Sequence, residues 1–174
     1  MKTAVPRQHL VDVASPSDTT ALRNYLRTIL THLVDLHDEG KNADVLFGGG
    51  KSAALHRHFD GVVESALKAI EIVADRVCAL DPHNELTRRT AVQGSRRSSL
   101  AAPTAVAIAT EAAKSAADIV RRIVTVREII GAVGNRIRDD DPLAAALLCR
   151  INTVLETQAI TLQNLTVAAG RNSP

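Results

Sequence analysis

Apolar residues recur at three- and four-residue steps in four long stretches of the chain, with polar residues between them, as expected for amphipathic helices around a shared core. The first stripe is Leu22, Leu26, Ile29, Leu30, Leu33 and Leu36. A cap at Ser17 or Asp18 opens this helix, which runs to about Leu46 across Gly40 at a modest cost in propensity. Gly48-Gly49-Gly50 then stops it and permits a tight reversal, after which Ser52 can cap the next helix, so the two make a helical hairpin. The second stripe is Leu55, Phe59, Val62, Val63, Ala66, Ala69, Ile70, Val73 and Val77, ending near Leu80 before Asp81-Pro82. The third follows Pro103 and Thr104, places Val106, Ala109, Ala113, Ala116, Ala117, Val120, Ile123 and Val124 on its core face, and ends between Gly131 and Arg138. The fourth opens at Asp139-Asp140-Asp141-Pro142, with proline in the first turn and carboxylates at the positive end of the helix dipole. Leu147, Leu148, Ile151, Leu155, Ile160, Leu162 and Leu165 make its apolar face.

Between the second and third helices stands DPHNELTRRTAVQGSRRSSLAAP, too long for a simple antiparallel turn. A connection of that length can run the full height of a bundle and leaves room for a short helical turn. The expected fold is therefore all-α: a four-helix bundle over residues 18–169 with one long crossover between helices two and three. Residues 1–17 and 170–174 are expected to be tails, since they carry proline, serine or glycine without helical periodicity.

Composition narrows the field. Aromatic residues make up 2% of the 174 positions and there is no Trp, which suits close helix packing and argues against base-stacking surfaces. A formal net charge of +2 gives no chain-wide signal for a polyanion. Cys78 and Cys149 have no partner at metal or disulfide spacing and read as reduced thiols of a cytoplasmic protein. Lys2 is followed by no apolar core of a secretory leader, and no window approaches eighteen uncharged apolar residues, so neither secretion nor membrane spanning is expected.

Chemistry concentrates on the second helix. His56 and Asp60 lie four apart, as do Glu71 and Asp75, and each pair projects from one side of the helix. Fifteen residues separate His56 from Glu71, about 22 Å at roughly 1.5 Å per residue. No single ion spans that gap. Either a second copy running antiparallel across a twofold axis supplies the Glu71/Asp75 half of a shared site, or all four residues belong to a solvated face. His58 is about 200° round the helix from His56 and outside the same shell. His32, His37 and His83 have no partner at ligand spacing.

Read together, LVDLHDEGKNADVLFGGGKSAALHRHFDGVVESALKAIEIVADR resembles the segment of the Dps family, the DNA-binding proteins from starved cells or mini-ferritins, that runs through helix one, the turn and helix two. KNADVLFGGG stands where that family has KxAHWNVxGPxF, LHRHFD matches LHxxFD, and IEIVADR matches a helix with two carboxylates before arginine. DDDPLAAALLCRINTVLETQ is similar, more weakly, to the family's last helix. The resemblance implies a ferritin-like bundle that assembles as a hollow shell of twelve subunits, oxidises ferrous iron at sites on twofold interfaces and stores it as ferric mineral, protecting the cell from oxidative stress. It implies a metal site of Asp44, His56 and Asp60 from one chain with Glu71 and Asp75 from its partner, Asp44 standing where the family has a histidine and Glu71/Asp75 reversing the usual order. Asp in place of His keeps an oxygen ligand for a hard iron ion and moves preference away from zinc. No Glu-x-x-His pair occurs, which argues against a conventional ferritin with a site inside each subunit.

Asp139, Asp140 and Asp141 are candidates for an ion-entry pore, or simply an acidic helix start. Arg88, Arg89, Arg96 and Arg97 are candidates for DNA contact, although the tails lack the lysines that phosphate neutralisation favours, so a solvated loop is the stronger expectation. Two rival functions remain: a shell-forming relative with an impaired centre and a structural or DNA-associated role, and a monomeric or dimeric helical interaction module without metal.

Overall fold

The computed structural model describes residues 16–47, 53–80 and 105–171, which form four helices and no strand among the described residues: α1 (Pro16–Phe47), α2 (Ala53–Leu80), α3 (Ala105–Arg136) and α4 (Pro142–Arg171). Helix α1 begins two residues earlier than its polar residues suggest, because proline at the first helical position has a preset φ and no N–H to lose there. Helix α4 runs to Arg171, past the expected boundary. The anticipated helical turn within 81–103 lies outside the described residues, as do residues 1–15 and 172–174.

The helices pack as a square. α1 lies against α2 and α3, and α4 lies against α3 and α2, so α2 and α3, consecutive in the chain, occupy opposite corners. Leu26, Ile29, Leu33 and Leu36 from α1 meet Phe59, Val62, Ala66 and Val73 from α2 and Leu148, Ile151, Leu155 and Leu162 from α4, all buried. Each large side chain so buried contributes about 1.5–3 kcal/mol.

On α3 the buried face is Ala112, Ala116, Ile119, Ile123, Val126, Ile130 and Val133, continuing to Ile137 in the turn. These alternate steps of four and three, the knobs-into-holes spacing of a bundle seam. The expected stripe was offset from it: Ala113 and Ala117 are exposed and Val124 is 38% exposed. Alanine is small enough to sit on either side of a helix, so an alanine-rich stretch marks its core face weakly. On α4 the face turns in the same way, with Ala159 buried and Ile160 51% exposed.

One close approach fixes the α1–α2 pair. A Cβ at Gly40 would stand 2.9 Å from Cγ2 of Val63, so glycine is what lets the two helices lie this near each other. The stretch Pro142–Asn164 of α4 has the length and mean hydropathy, 1.2, of a helix that can cross a membrane. Sequence reading did not anticipate this, because Arg150 and Glu156 interrupt the run. Its inward residues Leu148, Ile151, Leu155 and Leu162 are bundle core.

Candidate metal centre

Asp44 stands in the last turn of α1 and His56 in the first turn of α2, so the hairpin brings them face to face, and Asp60 joins from one turn further along α2. One ligand atom from each lies within 4.8 Å of the others. An ion held at about 2.1–2.5 Å from each ligand sets the ligand atoms roughly 3–5 Å apart; Asp44 Oδ1 and His56 Nδ1 stand closer than that, so a cation here would part them or use the other carboxylate oxygen or ring nitrogen. His56 Nδ1 and Asp44 Oδ1 meet as an ion pair, yet both atoms are shielded from solvent and neither has a hydrogen bond. Each of the two atoms is thus the other's electrostatic partner, and no third group hydrogen-bonds either.

The helix ends add a reason. The last turn of α1 leaves carbonyl oxygens without intrahelical partners, a partly negative environment that suits a cation and opposes a carboxylate. α1 carries no basic residue in that turn and places Asp44 there instead. A cation bound beside this pair would offset the misplaced charge. One imidazole and two carboxylates form a hard, mostly oxygen donor set, suited to ferrous iron or manganese more than to zinc.

Glu71 and Asp75 are exposed on α2 and, since α2 is continuous, remain about 22 Å from His56 along its axis. Within one chain they do not join the triad. His58 is half-buried and lies outside it. His37, on α1, hydrogen-bonds its neighbour Asp38 at 3.1 Å. Arg88, Arg89, Arg96, Arg97 and His83 lie outside the described residues.

The pore expectation requires a correction at Asp141. Its side chain is only 6% exposed and ion-pairs with Arg76, whose Nε donates to Oδ2 at 3.0 Å. Its Oδ1 accepts the backbone N–H of Ala144 at 2.9 Å, the N-cap of α4. Both oxygens are occupied, which makes Asp141 a structural carboxylate. Asp139 and Asp140 are exposed in the turn before it.

Sequence reading also missed two features of the helix faces. Arg122 on α3 reaches Glu39 on α1, with Nε at 3.0 Å from Oε1, beside a cleft of about 590 Å³ that Asn42, Ser115, Asp118 and Thr125 help to line. The hydrogen bond that Arg122 donates to Glu39 raises the pKa of Arg122 above its ordinary value, and burial opposes it. Gly40, noted only as an interruption, sets the helix separation one turn before Asp44.

The fold and the cluster together define an all-α bundle with a carboxylate–histidine triad where α1 ends and α2 begins, Asp44 and His56 half-buried and Asp60 exposed. The chain matches no family model and no curated protein.

Proposed function

We propose that this chain is a Dps-like mini-ferritin: it takes ferrous iron as substrate at sites shared between subunits, oxidises it, and stores it within a hollow homo-oligomeric shell of twelve, in the cytoplasm. The observation that carries this reading is the convergence of Asp44, His56 and Asp60, each with a ligand atom within 4.8 Å of the others. The diagonal placement of α2 and α3 supports the long ferritin-like crossover, because helices at opposite corners need a connection that spans the bundle.

In this reading the protein contributes ligands and position, while the redox chemistry belongs to the iron. Asp44, His56 and Asp60 hold the ion from one side. Glu71 and Asp75 of a second copy close it from the other, and their exposure leaves them accessible to that copy. Ferrous oxidation followed by absorbance, with oxygen or peroxide as acceptor, tests the assignment. His56→Ala and Glu71→Ala should both slow it at least tenfold. If both oxidise iron as fast as the parent, the site is wrongly placed.

A second reading keeps the shell and drops the turnover. It is favoured by one observation: Asp44 supplies a carboxylate where the resemblance calls for histidine, adding negative charge that holds a ferric product more tightly. Iron bound in stoichiometric amount without continued oxidation would decide for it.

A further inference from the structure

We infer that Arg122 of α3 is a positioning residue for the metal centre: through Glu39 it seats the last turns of α1 so that Asp44 meets His56 and Asp60. This rests on the metal-site reading above and adds to it a residue that does not touch the ion. Glu39 and Gly40 are neighbours, about 100° apart round α1, and they turn toward different helices. Gly40 lies against Val63 of α2, where a Cβ would stand 2.9 Å from Cγ2. Glu39 accepts from Arg122 of α3, whose Nε is 3.0 Å from Oε1 and whose Nη2 pairs with the same oxygen. Asp44 follows these two residues at about 6–8 Å along the axis, so both seats stand just over one turn before the ligand.

Open space is what makes the Arg122 contact matter. Beside it the seam between α1 and α3 widens into the cleft of about 590 Å³, and Asn42 and Ala43, the residues just before Asp44, line that cleft. Of its lining, Ala43 and Ile119 are buried apolar side chains and the others are polar. A helix end that faces such a space gains little dispersion contact on that flank, and a hydrogen-bonded ion pair across the seam restrains it instead. Nearer the start of α1, the Arg136 guanidinium of α3 stands 5.3 Å from the ring centre of Tyr25. α1 is thus tied to α3 at two levels, and the level beside the metal centre is the one at Arg122. The ion pair between Asp44 and His56 does not replace this seat. A cation that parts those two side chains removes their contact, and the placement of α1 then decides whether Asp44 still reaches the ion.

The test uses manganese(II), which binds oxygen-rich sites without the oxidation step, and reads affinity on the full chain by electron paramagnetic resonance of the free ion. Groups that orient a metal ligand directly are typically worth about 10–100-fold in affinity, and a seat one turn removed should be worth about three- to tenfold. Arg122→Met keeps the apolar stem, loses the charge and the donors, and should weaken manganese binding by that factor while circular dichroism still shows the helices. The direction of change separates two causes. Arg122 is a cation and Glu39 an anion, so charge alone makes Arg122→Met bind manganese more tightly and Glu39→Ala less tightly, whereas loss of the seat weakens both. The double variant should then be no weaker than the worse single one, because both remove the same contact. Arg122→Lys, which can still donate to Glu39, should recover part of the loss. A parent that binds manganese, with Arg122→Met binding it as tightly or more tightly, overturns this inference and leaves the metal site standing. A parent that binds none overturns both.

Discussion

Two polar clusters in this bundle join neighbouring elements, and they differ in how completely they are satisfied. Where the end of α2 meets the start of α4, Asp141 uses one carboxylate oxygen for Arg76 and the other for the α4 backbone. Where the end of α1 meets the start of α2, Asp44 and His56 oppose each other without a hydrogen bond, in helix turns whose dipole suits a cation. The first cluster is closed, and adding anything to it costs a hydrogen bond already made. The second holds a single ion pair between Asp44 and His56 with no backbone group capped, in turns that suit a cation, so a cation can be added there without breaking a cap. Both contain an aspartate at a helix end, so residue type alone does not separate structure from site. The pairing of each oxygen does.

The largest expected effect falls on the closed cluster. Asp141→Ala removes the cap and leaves the Arg76 guanidinium largely buried without its partner, which should cost about 3–5 kcal/mol. Chemical denaturation should show it. Asp141→Asn keeps a good capping side chain and removes only the charge, so it should lose less, and the difference isolates the ion pair. Equal losses for the two would mean that Arg76 finds water or another acceptor, and the contrast between the clusters would weaken.

The open cluster should behave in the opposite way. His56→Ala should cost at most about 1 kcal/mol in chelator, since the ion pair with Asp44 that it removes is partly exposed. With manganese at a hundred times its dissociation constant, the parent should gain about 2.7 kcal/mol from binding to the native state alone, and the variant should gain none. Thermal unfolding with and without manganese measures both. A variant that still gains the full increment would place the ion elsewhere.

How far this contrast is legible in the sequence depends on the range of the interaction. The Asp-Pro start of α4 and the leucine stripe of α1 are local signals, and they place these helices to within a few residues. His56 and Asp60 are visible as an i,i+4 pair, and Asp44 enters through the resemblance. The pairing of Arg76 with Asp141 spans 65 positions and has no periodic signature, so Asp141 looks like a free carboxylate until the helices are packed. The α3 register was misjudged for a different reason: alanine contributes too little burial to show which side faces inward. Glycine 40 is similar, because its cost in helix propensity can be seen while its use against Val63 cannot.

Two glycines sharpen the comparison at a smaller scale. Gly40→Ala gains about 1 kcal/mol of helix propensity, but its methyl meets Val63 Cγ2, a stiff β-branched side chain, and the crowding should cost more than it gains. A net loss of about 1 kcal/mol is expected, together with weaker manganese binding, because pushing α1 from α2 moves Asp44 away from His56. A Cβ at Gly131, on α3, meets nothing within 4 Å, so Gly131→Ala should stabilise by about 0.5–1 kcal/mol and leave manganese binding unchanged. If both substitutions stabilise, the helices have room to spare at Gly40, and the geometry of the triad is looser than its distances suggest.

The smallest effect belongs to Glu64 and Lys68, which pair at 2.6 Å one turn apart on the exposed side of α2. The hydrogen bond and then the charge of Lys68 lower the carboxyl pKa of Glu64 below its ordinary value. A carboxylate whose folded pKa is depressed contributes stability above its unfolded pKa and loses it as pH falls through the folded value. Glu64→Gln should therefore differ from the parent slightly at neutral pH, and the difference should fade as pH falls through the folded value of Glu64, followed by denaturation at a series of pH values. Exposure and salt screening keep such pairs weak. A large difference at neutral pH would mean that this exposed face of α2 is covered in solution.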